Sequence, residues 1–432
     1  ESLKFSGGER KIIPFKTLPT FTKEEKNRTI LAPYFADSYS ELLPALFQIM
    51  GYKLINLPPA DTDTAEIGLK YANNDICYPA TLVVGSIIKA MQSGSYKSDD
   101  IAIGITQTGG QCRASNYIAL IKSALISAGY DNIPVISVAF GKDMMNEQPG
   151  FKLKLRGNIL IALFALLYTD CISKLYYASV VREKVKGVAK ELRKKYIDLA
   201  IPYIVKRNTK GLKKLFKQAI NEFDSVIEHK DNIPIIGVVG EIYVKYNSFS
   251  HKNVLEWLSS EGVEVVAPSM YNFFINSFVN NHINKYNHIQ EIGYPLFVTD
   301  TLYNIVYGFA KSFDKIGKSF RYYRPFADIF HDAKLASKII NLSANFGEGW
   351  LIPAELAGFA ENKIYNAVSL QPFGCIANQV ISKGIEKKLK KIYPQMNLLF
   401  LDFDGGTSEA NIFNRLHFMV ENAKQSLLKK RE

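Results

Sequence analysis

The sequence is poor in cysteine and in long apolar runs. It has four cysteines in 432 residues, too few for a disulfide scaffold. Such a count is typical of a reducing compartment, where thiols tend to serve metals or catalysis. No run reaches the roughly 18–20 apolar residues that span a bilayer. The best candidate, Ile159 to Tyr168, is predicted to be a buried helix. We therefore expect a cytoplasmic protein without a membrane segment.

Acidic residues are fewer than basic ones, and the net charge is +12. Much of the basic excess lies in two predicted helices, at residues 182–195 and 210–217. A solvated helix face explains such runs, and a docking surface for an acidic partner or an anionic cofactor is the alternative. No recognised nucleic-acid motif accompanies the charge, so nucleic-acid binding is not expected.

Nucleotide-binding motifs are also missing, since no Gly-x-x-x-x-Gly-Lys-Ser/Thr loop occurs. The segment Asp404-Gly405-Gly406-Thr407 is similar to the phosphate loop of actin-like ATPases. That loop opens a domain between two hairpin strands, whereas this one follows a predicted buried strand near the chain terminus. A turn with Thr407 or Ser408 as the helix N-cap is the better interpretation. If ATP drives this protein, another domain or subunit binds it.

Apolar strands alternate with helical segments along most of the chain. The predicted strands cover residues 29–34, 53–57, 101–106, 134–139, 233–239, 263–268, 367–370 and 397–403. Helices are predicted between them, including a single helix from Ile376 to Lys391 and a last one from Asn411 to Leu428. This alternation predicts an α/β fold with two or more open, mostly parallel layers of the flavodoxin or Rossmann type, joined by helical segments.

Changes in composition suggest five parts of the chain. We expect an N-terminal arm at residues 1–27, a first α/β domain at 28–150, and a connecting helical segment at 151–230. A second α/β and helical domain follows at 231–345, and a C-terminal α/β part at 346–432. Cys77 and Cys112 fall in the first domain, and Cys375 falls in the last part.

Three of the cysteines lie at predicted strand-to-helix junctions. Cys77, Cys112 and Cys375 each precede a predicted helix, at the sheet edge where open α/β folds bind ligands. A helix N-terminus favours the thiolate that a metal needs. The nearby glycines that let the backbone approach a bound cofactor are Gly109, Gly110 and Gly374. From spacing alone, a shared metal site and unrelated core thiols both stay open. Cys171 follows an apolar run and is predicted to be structural.

Three charged residues accompany these junctions. Glu241 and Glu348 stand in glycine-flanked turns, where a capping or interface role and a proton-handling role are both open. Arg113 follows Cys112 and either tunes the charge of a cofactor, binds an anionic substrate, or forms an ion pair elsewhere.

Several motifs together resemble one known family. They are Asn74 to Pro79, Gln107 to Arg113, Gly240 to Tyr243, Gly347 to Trp350, Gln371 to Asn378 and Asp404 to Asn411. They resemble the 2-hydroxyacyl-CoA dehydratase superfamily, and more narrowly the C-terminal, cluster-bearing region of acyl-CoA dehydratase activase-related proteins, which are relatives of double-cubane cluster reductases. The resemblance covers nearly the whole chain.

The resemblance implies an oxygen-sensitive [4Fe-4S] cluster, single or part of a double cubane, in a cavity between the α/β layers. Its ligands would be Cys77, Cys112 and Cys375, with one iron left open. It also implies an activating ATPase domain or subunit, an acyl-CoA or other small-molecule substrate, and a homodimer or a heterodimer with a related subunit. Two alternative functions stay open: an electron-transfer or scaffold module, and a metal-free α/β protein that binds a small anion.

Overall fold

The computed structural model of the protein describes residues 16–73, 76–107, 112–138, 146–154, 156–290 and 295–428. In this part of the chain, two four-stranded parallel sheets are surrounded by helices. The predicted α/β class with two open parallel layers is therefore confirmed. The inner strands of both sheets are mostly buried, which explains why they appear in the sequence as continuous apolar runs rather than alternating patterns.

The first sheet has the strand order β2-β1-β3-β4. Its strands are β1 (Thr29–Ala32), β2 (Leu54–Asn56), β3 (Ile101–Thr106) and β4 (Val135–Val138). Its helices are α1 (Leu43–Met50), α2 (Thr62–Tyr71), α3 (Tyr78–Gln92) and α4 (Tyr117–Ser127). Because the order reverses between β1 and β3, the carboxyl ends of these two strands flank the crevice in which such sheets bind ligands.

The second sheet repeats this order as β6-β5-β7-β8. Its strands are β5 (Ile235–Gly240), β6 (Glu264–Val266), β7 (Asn366–Pro372) and β8 (Asn397–Phe403). The chain thus builds the same parallel topology twice, and in each half a cysteine follows the third strand. Cys112 follows β3 and Cys375 follows β7.

The remaining helices form a helical body and the outer faces of the second sheet. They are α5 (Ile159–Ser179), α6 (Val188–Val205), α7 (Thr209–Ser225), α8 (Ile242–Tyr246), α9 (Val254–Ser260), α10 (Met270–Tyr286), α11 (Leu296–Gly317), α12 (Ile329–Ser337), α13 (Leu351–Glu361), α14 (Glu386–Ile392) and α15 (Glu409–Leu428). Helices α5 to α7 share one apolar core with α10 to α12, including Phe164, Phe216, Tyr271 and Phe313. These six helices therefore pack as a single body.

Helix α5 is longer than the apolar run that predicted it. It continues to Ser179, and among the described residues it is the one helix long and apolar enough to cross a membrane. Most of its apolar window, 61%, is buried inside the protein. Its first residues, Ile159 and Leu160, are exposed, but the rest lies in the core of the helical body. This burial is compatible with the core helix of a soluble protein.

The basic segment at residues 182–195 is only partly a surface. Arg182 is 3% exposed and donates a 2.6 Å hydrogen bond to Glu264 on β6. Arg193 stacks on the ring of Tyr176, with its Cζ atom 4.0 Å from the ring centroid. The prediction of a solvated face or docking surface is therefore wrong for Arg182, which instead ties the end of α5 to the second sheet.

Two local predictions at the C-terminal side have different outcomes. The helix predicted as continuous from Ile376 to Lys391 is instead a π-helical turn, Ala377–Ser382, followed by α14. The predicted turn before α15 is confirmed, while the N-cap role of Thr407 or Ser408 stays a prediction. Asp404 Oδ1 accepts hydrogen bonds from the Gly406 amide at 2.7 Å and the Thr407 hydroxyl at 2.9 Å, so the turn is held by its own side chains.

Candidate metal centre

The three predicted ligand cysteines each begin a helical turn. Cys77 is the N-cap of α3, and Pro79 in the first turn has the fixed φ that suits a helix start. Cys112 is the N-cap of a 3₁₀ turn, Arg113–Asn116, that leads into α4. Cys375 precedes the π-helical turn, a rare form that often occurs at functional sites. Cys77 is 6% exposed, while Cys112 and Cys375 are half-buried.

The turns of Cys77 and Cys375 touch through their backbones. The amide of Tyr78 donates a 3.0 Å hydrogen bond to the carbonyl oxygen of Phe373. Gly374 has φ +77°, and a Cβ atom there would lie 3.0 Å from the carbonyl oxygen of Ile76 and 3.1 Å from Cys77 Cα. Only glycine fits this approach without strain. The two halves of the molecule therefore meet at the carboxyl ends of their sheets.

The turn before α13 brings Cys112 to the same place. A Cβ atom on Gly347 would lie 3.8 Å from Cys112 Sγ and 3.9 Å from the Cβ atom of Ala377. Gly347 immediately precedes Glu348, so the Glu348 turn lies against Cys112 on one side and the Cys375 helix on the other. The other predicted cofactor-binding glycines, Gly109 and Gly110, lie outside the described residues.

Burial disfavours the charged form of the thiols. It raises the pKa of Cys77 to about 12, against the lowering effect of a hydrogen bond with Tyr117, and the charges of Glu241 and Cys112 raise that pKa further. Burial also raises the pKa of Cys375 well above its usual range, with Glu348 and Glu241 adding to the shift. Cys77 therefore lies within electrostatic reach of Glu241 and Cys112, and Cys375 within reach of Glu348 and Glu241.

Both glutamates cap α8. Glu241 is its N-cap and accepts a 2.9 Å hydrogen bond from the Val244 amide, while Glu348 accepts one of 2.7 Å from the Ile242 amide. The predicted capping and interface role is thereby observed. Burial, and then the neighbouring Glu348, raise the pKa of Glu241 to about 8. Burial also raises the pKa of Glu348, so a proton-handling role stays open for both.

Four polar side chains support the cysteine turns, and sequence reasoning assigned none of them a role. The Tyr117 hydroxyl lies 2.8 Å from Cys77 Sγ, and Asn378 Nδ2 donates a 3.2 Å hydrogen bond to Cys375 Sγ. Gln107 Nε2 donates to the Ser115 carbonyl oxygen at 2.8 Å, and Gln371 Nε2 donates to the Asn378 carbonyl oxygen at 3.1 Å. In each half, a glutamine near the end of the third strand thus binds the residue three positions after the cysteine, a spacing that is visible in the sequence.

Arg113 and Cys171 lie in different parts of the fold. Arg113 is half-buried in the 3₁₀ turn after Cys112, and it is not among the main charges that shift the pKa of Cys77 or Cys375. Cys171 is fully buried in α5, within the helical body, with Sγ 3.5 Å from the Tyr323 hydroxyl. Cys171 is therefore structural, as predicted.

The arrangement of possible metal ligands differs from that of a site for one ion. Within the described residues, no three His, Cys, Asp or Glu side chains are close enough together to hold one metal ion. An iron–sulfur cluster presents separate irons to separate thiolates, so its cysteines lie farther apart than donors that share one ion. The three cysteines here lie on three separate turns that contact one another.

Replacing Gly374 with alanine is expected to prevent iron from being retained without unfolding the protein. The new Cβ atom would press on the backbone of Cys77 and require a left-handed φ, so two cysteine turns would separate. Iron per chain after anaerobic reconstitution, together with circular dichroism, measures both effects. Gly384→Ala is the matched control, because a Cβ atom at Gly384 has no neighbour within 4 Å. Full iron content in Gly374→Ala would contradict this account of the site.

Comparisons with known proteins do not identify this chain. No protein-family model matches it, and no curated protein is significantly similar to it. The candidate centre therefore stands on its own residues and contacts.

Proposed function

We propose that this chain is the iron–sulfur component of an ATP-dependent system of the 2-hydroxyacyl-CoA dehydratase or double-cubane reductase type. In this proposal Cys77, Cys112 and Cys375 hold a [4Fe-4S] cluster, and one iron stays open. The resemblance of the sequence motifs supplies the reaction class. The contacts among the three cysteine turns are consistent with it.

One observation carries the proposal: thiols and carboxyl groups of the described residues are gathered in one largely buried place. Glu241 and Cys112 add to the raised pKa of Cys77, Glu348 and Glu241 add to that of Cys375, and Glu348 adds to that of Glu241. The main cationic influence is Lys245, which lowers the pKa values of Glu241 and Glu348, and it is itself paired with Glu355 at 3.4 Å. A bound metal centre deprotonates its thiol ligands outright and supplies positive charge among these acid groups.

A cluster bound here would supply low-potential, one-electron chemistry. The protein's own residues would orient it and manage protons around it. Glu241 has a pKa of about 8 and so holds a proton at neutral pH, close enough to Cys77 and Cys375 to affect their pKa values. A carboxyl with such a pKa is suited to give or take a proton near neutrality. Glu348 holds the amide of Ile242 and fixes the position of α8 beside it.

The same gathering of acid groups argues against the metal-free alternative. A small anion would lose its hydration in this buried space, which is the same penalty that disfavours the charged forms of the side chains around it, although the helix N-termini at the site attract negative charge. The net effect of the surroundings on Cys77 and Cys375 is to disfavour their charged forms. A metal-free anion site is therefore the weaker candidate.

A role limited to electron transfer has one observation in its favour. Apolar side chains beside Cys375 are exposed to solvent: Phe373 is 51%, Ile376 38% and Val380 65% exposed. Exposed apolar groups clustered at one place are typical of protein contact surfaces. An activating ATPase or a second subunit that docks there would come close to the cluster, and the chain would then carry electrons for its partner.

Anaerobic reconstitution with iron and sulfide tests the proposal. We expect about four irons per chain and the visible absorption of sulfide-to-iron charge transfer, because three thiolates suffice to anchor one cubane. The full-length chain is used for this reconstitution. A chain that takes up no iron, or that binds iron without sulfide, would overturn the assignment.

A further inference from the structure

Two of the three candidate ligand sulfurs have a polar side chain directed at them. The Tyr117 hydroxyl lies 2.8 Å from Cys77 Sγ, and the side-chain amide of Asn378 lies 3.2 Å from Cys375 Sγ. Tyr117 is 8% exposed and Asn378 is 0% exposed. Neither partner faces bulk water, so each contact is held by the surrounding fold.

The direction of these hydrogen bonds follows from the chemistry of the sulfur. A metal-bound thiolate carries no proton and only accepts, so Tyr117 must donate its hydroxyl proton and Asn378 its amide proton. Hydrogen bonds to a charged acceptor are stronger than those between neutral groups. Both side chains would therefore stabilise negative charge on the cluster.

Both donor residues are held in place by the helical turns to which they belong. Tyr117 is the first residue of α4, where the 3₁₀ turn of Cys112 leads into the helix. Asn378 lies in the π-helical turn, and its carbonyl oxygen accepts the hydrogen bond from Gln371 Nε2. The Oδ1 atom of Asn378 has no hydrogen-bond partner within the described residues. Within the described residues, the hydrogen bond to Cys375 Sγ is thus the one that the Asn378 side chain makes.

We infer that Tyr117 and Asn378 are positioning residues that set the reduction potential of the centre through hydrogen bonds to the sulfurs of Cys77 and Cys375. This inference rests on the proposed function, since it concerns the cluster those cysteines would hold. Reduction adds one negative charge to the cluster. Hydrogen bonds to its sulfurs stabilise the reduced form more than the oxidised form, and this raises the potential. Removing either donor is therefore expected to lower it.

The test compares Tyr117→Phe and Asn378→Leu with the wild-type chain, each reconstituted anaerobically and titrated electrochemically under spectroscopic observation. Both substitutions keep the side-chain shape and remove the donor. We expect the iron content to stay at about four per chain. At a fixed potential the ratio of reduced to oxidised cluster should fall by about tenfold in each variant, which is about 59 mV for a one-electron couple.

Tyr78→Phe is the matched control. Tyr78 is adjacent to Cys77 and 3% exposed, but its hydroxyl has no hydrogen-bond partner within the described residues. Its removal should leave the midpoint potential unchanged. A wild-type potential in both Tyr117→Phe and Asn378→Leu would overturn the inference, and so would an equal shift in Tyr78→Phe. Loss of iron from both variants would show that they hold the turns rather than tune a formed cluster. A wild-type chain without iron would instead refute the proposed function.

Discussion

Replacing Cys112 with alanine is expected to abolish the iron–sulfur centre. In the proposed site the three cysteines are the protein ligands of the cluster, so none of them can be spared. The turns that carry them contact one another through Tyr78, Phe373 and Gly347. With one ligand removed, a second iron would be left without a protein donor. We expect reconstituted Cys112→Ala to hold close to no iron and to lack the visible charge-transfer absorption.

Cys171→Ala is the control for that loss. Cys171 is fully buried in the helical body, and its sulfur contacts the Tyr323 hydroxyl at 3.5 Å, in a different apolar core from Cys77. Its replacement removes a small buried group and should reduce stability modestly, by about 1 kcal/mol, while the iron content stays unchanged. Equal loss of iron from both variants would contradict the separation of the structural cysteine from the ligand cysteines.

Among the substitutions considered, replacing Glu264 with glutamine is expected to lower the free energy of unfolding most. Glu264 on β6 accepts 2.6 Å hydrogen bonds from both Arg182 and Arg324. Arg182 also donates to the carbonyl oxygens of Ala178 and Lys230, so it has no route to water. The variant leaves a buried guanidinium without its counter-charge. Breaking such a pair from one side reduces the free energy of unfolding by about 3–5 kcal/mol, which denaturant unfolding would measure.

The matched control is an ion pair on the surface. Lys194 and Asp198 lie one helical turn apart on α6 with side chains 78% and 52% exposed. Asp198→Asn removes the same kind of charge as Glu264→Gln, but solvent screens the pair, so the midpoint of denaturant unfolding should stay close to that of the wild-type chain. A Glu264→Gln variant as stable as Asp198→Asn would show that Arg182 finds another partner or reaches solvent.

The local elements were largely predictable because each depends on nearby residues. Short apolar runs bounded by turn residues predicted all eight strands within a few positions, for example β3 at Ile101–Thr106 and β8 at Asn397–Phe403. The π-helical turn at Ala377–Ser382 was not predictable. Its apolar spacing is that of an ordinary helix, and the extra residue per turn is set by packing around Cys375 and the end of β7.

The supporting residues of the site were harder to find. Gln107 and Gln371 lie within motifs that the sequence singled out, yet nothing local distinguishes a buried, bonded glutamine from an exposed one. Tyr117 at the start of α4 has the pattern of an ordinary core residue. Its bond to Cys77 connects residues from different helices. The solvent exposure of the basic segment at residues 182–195 was wrongly predicted for the same reason. The burial of Arg182 depends on its contact with Glu264, which is distant in the sequence.

By itself, the sequence determined the fold class and the strand-to-helix junctions at which Cys77, Cys112 and Cys375 stand, because periodicity and turn residues act over a few positions. Only the tertiary structure decided that the chain repeats one strand order in two sheets, and that the turns of Cys77 and Cys375 touch at Gly374. The raised pKa values and the donors to sulfur are also tertiary properties. They arise from burial and from contacts between the two halves, which no local pattern encodes.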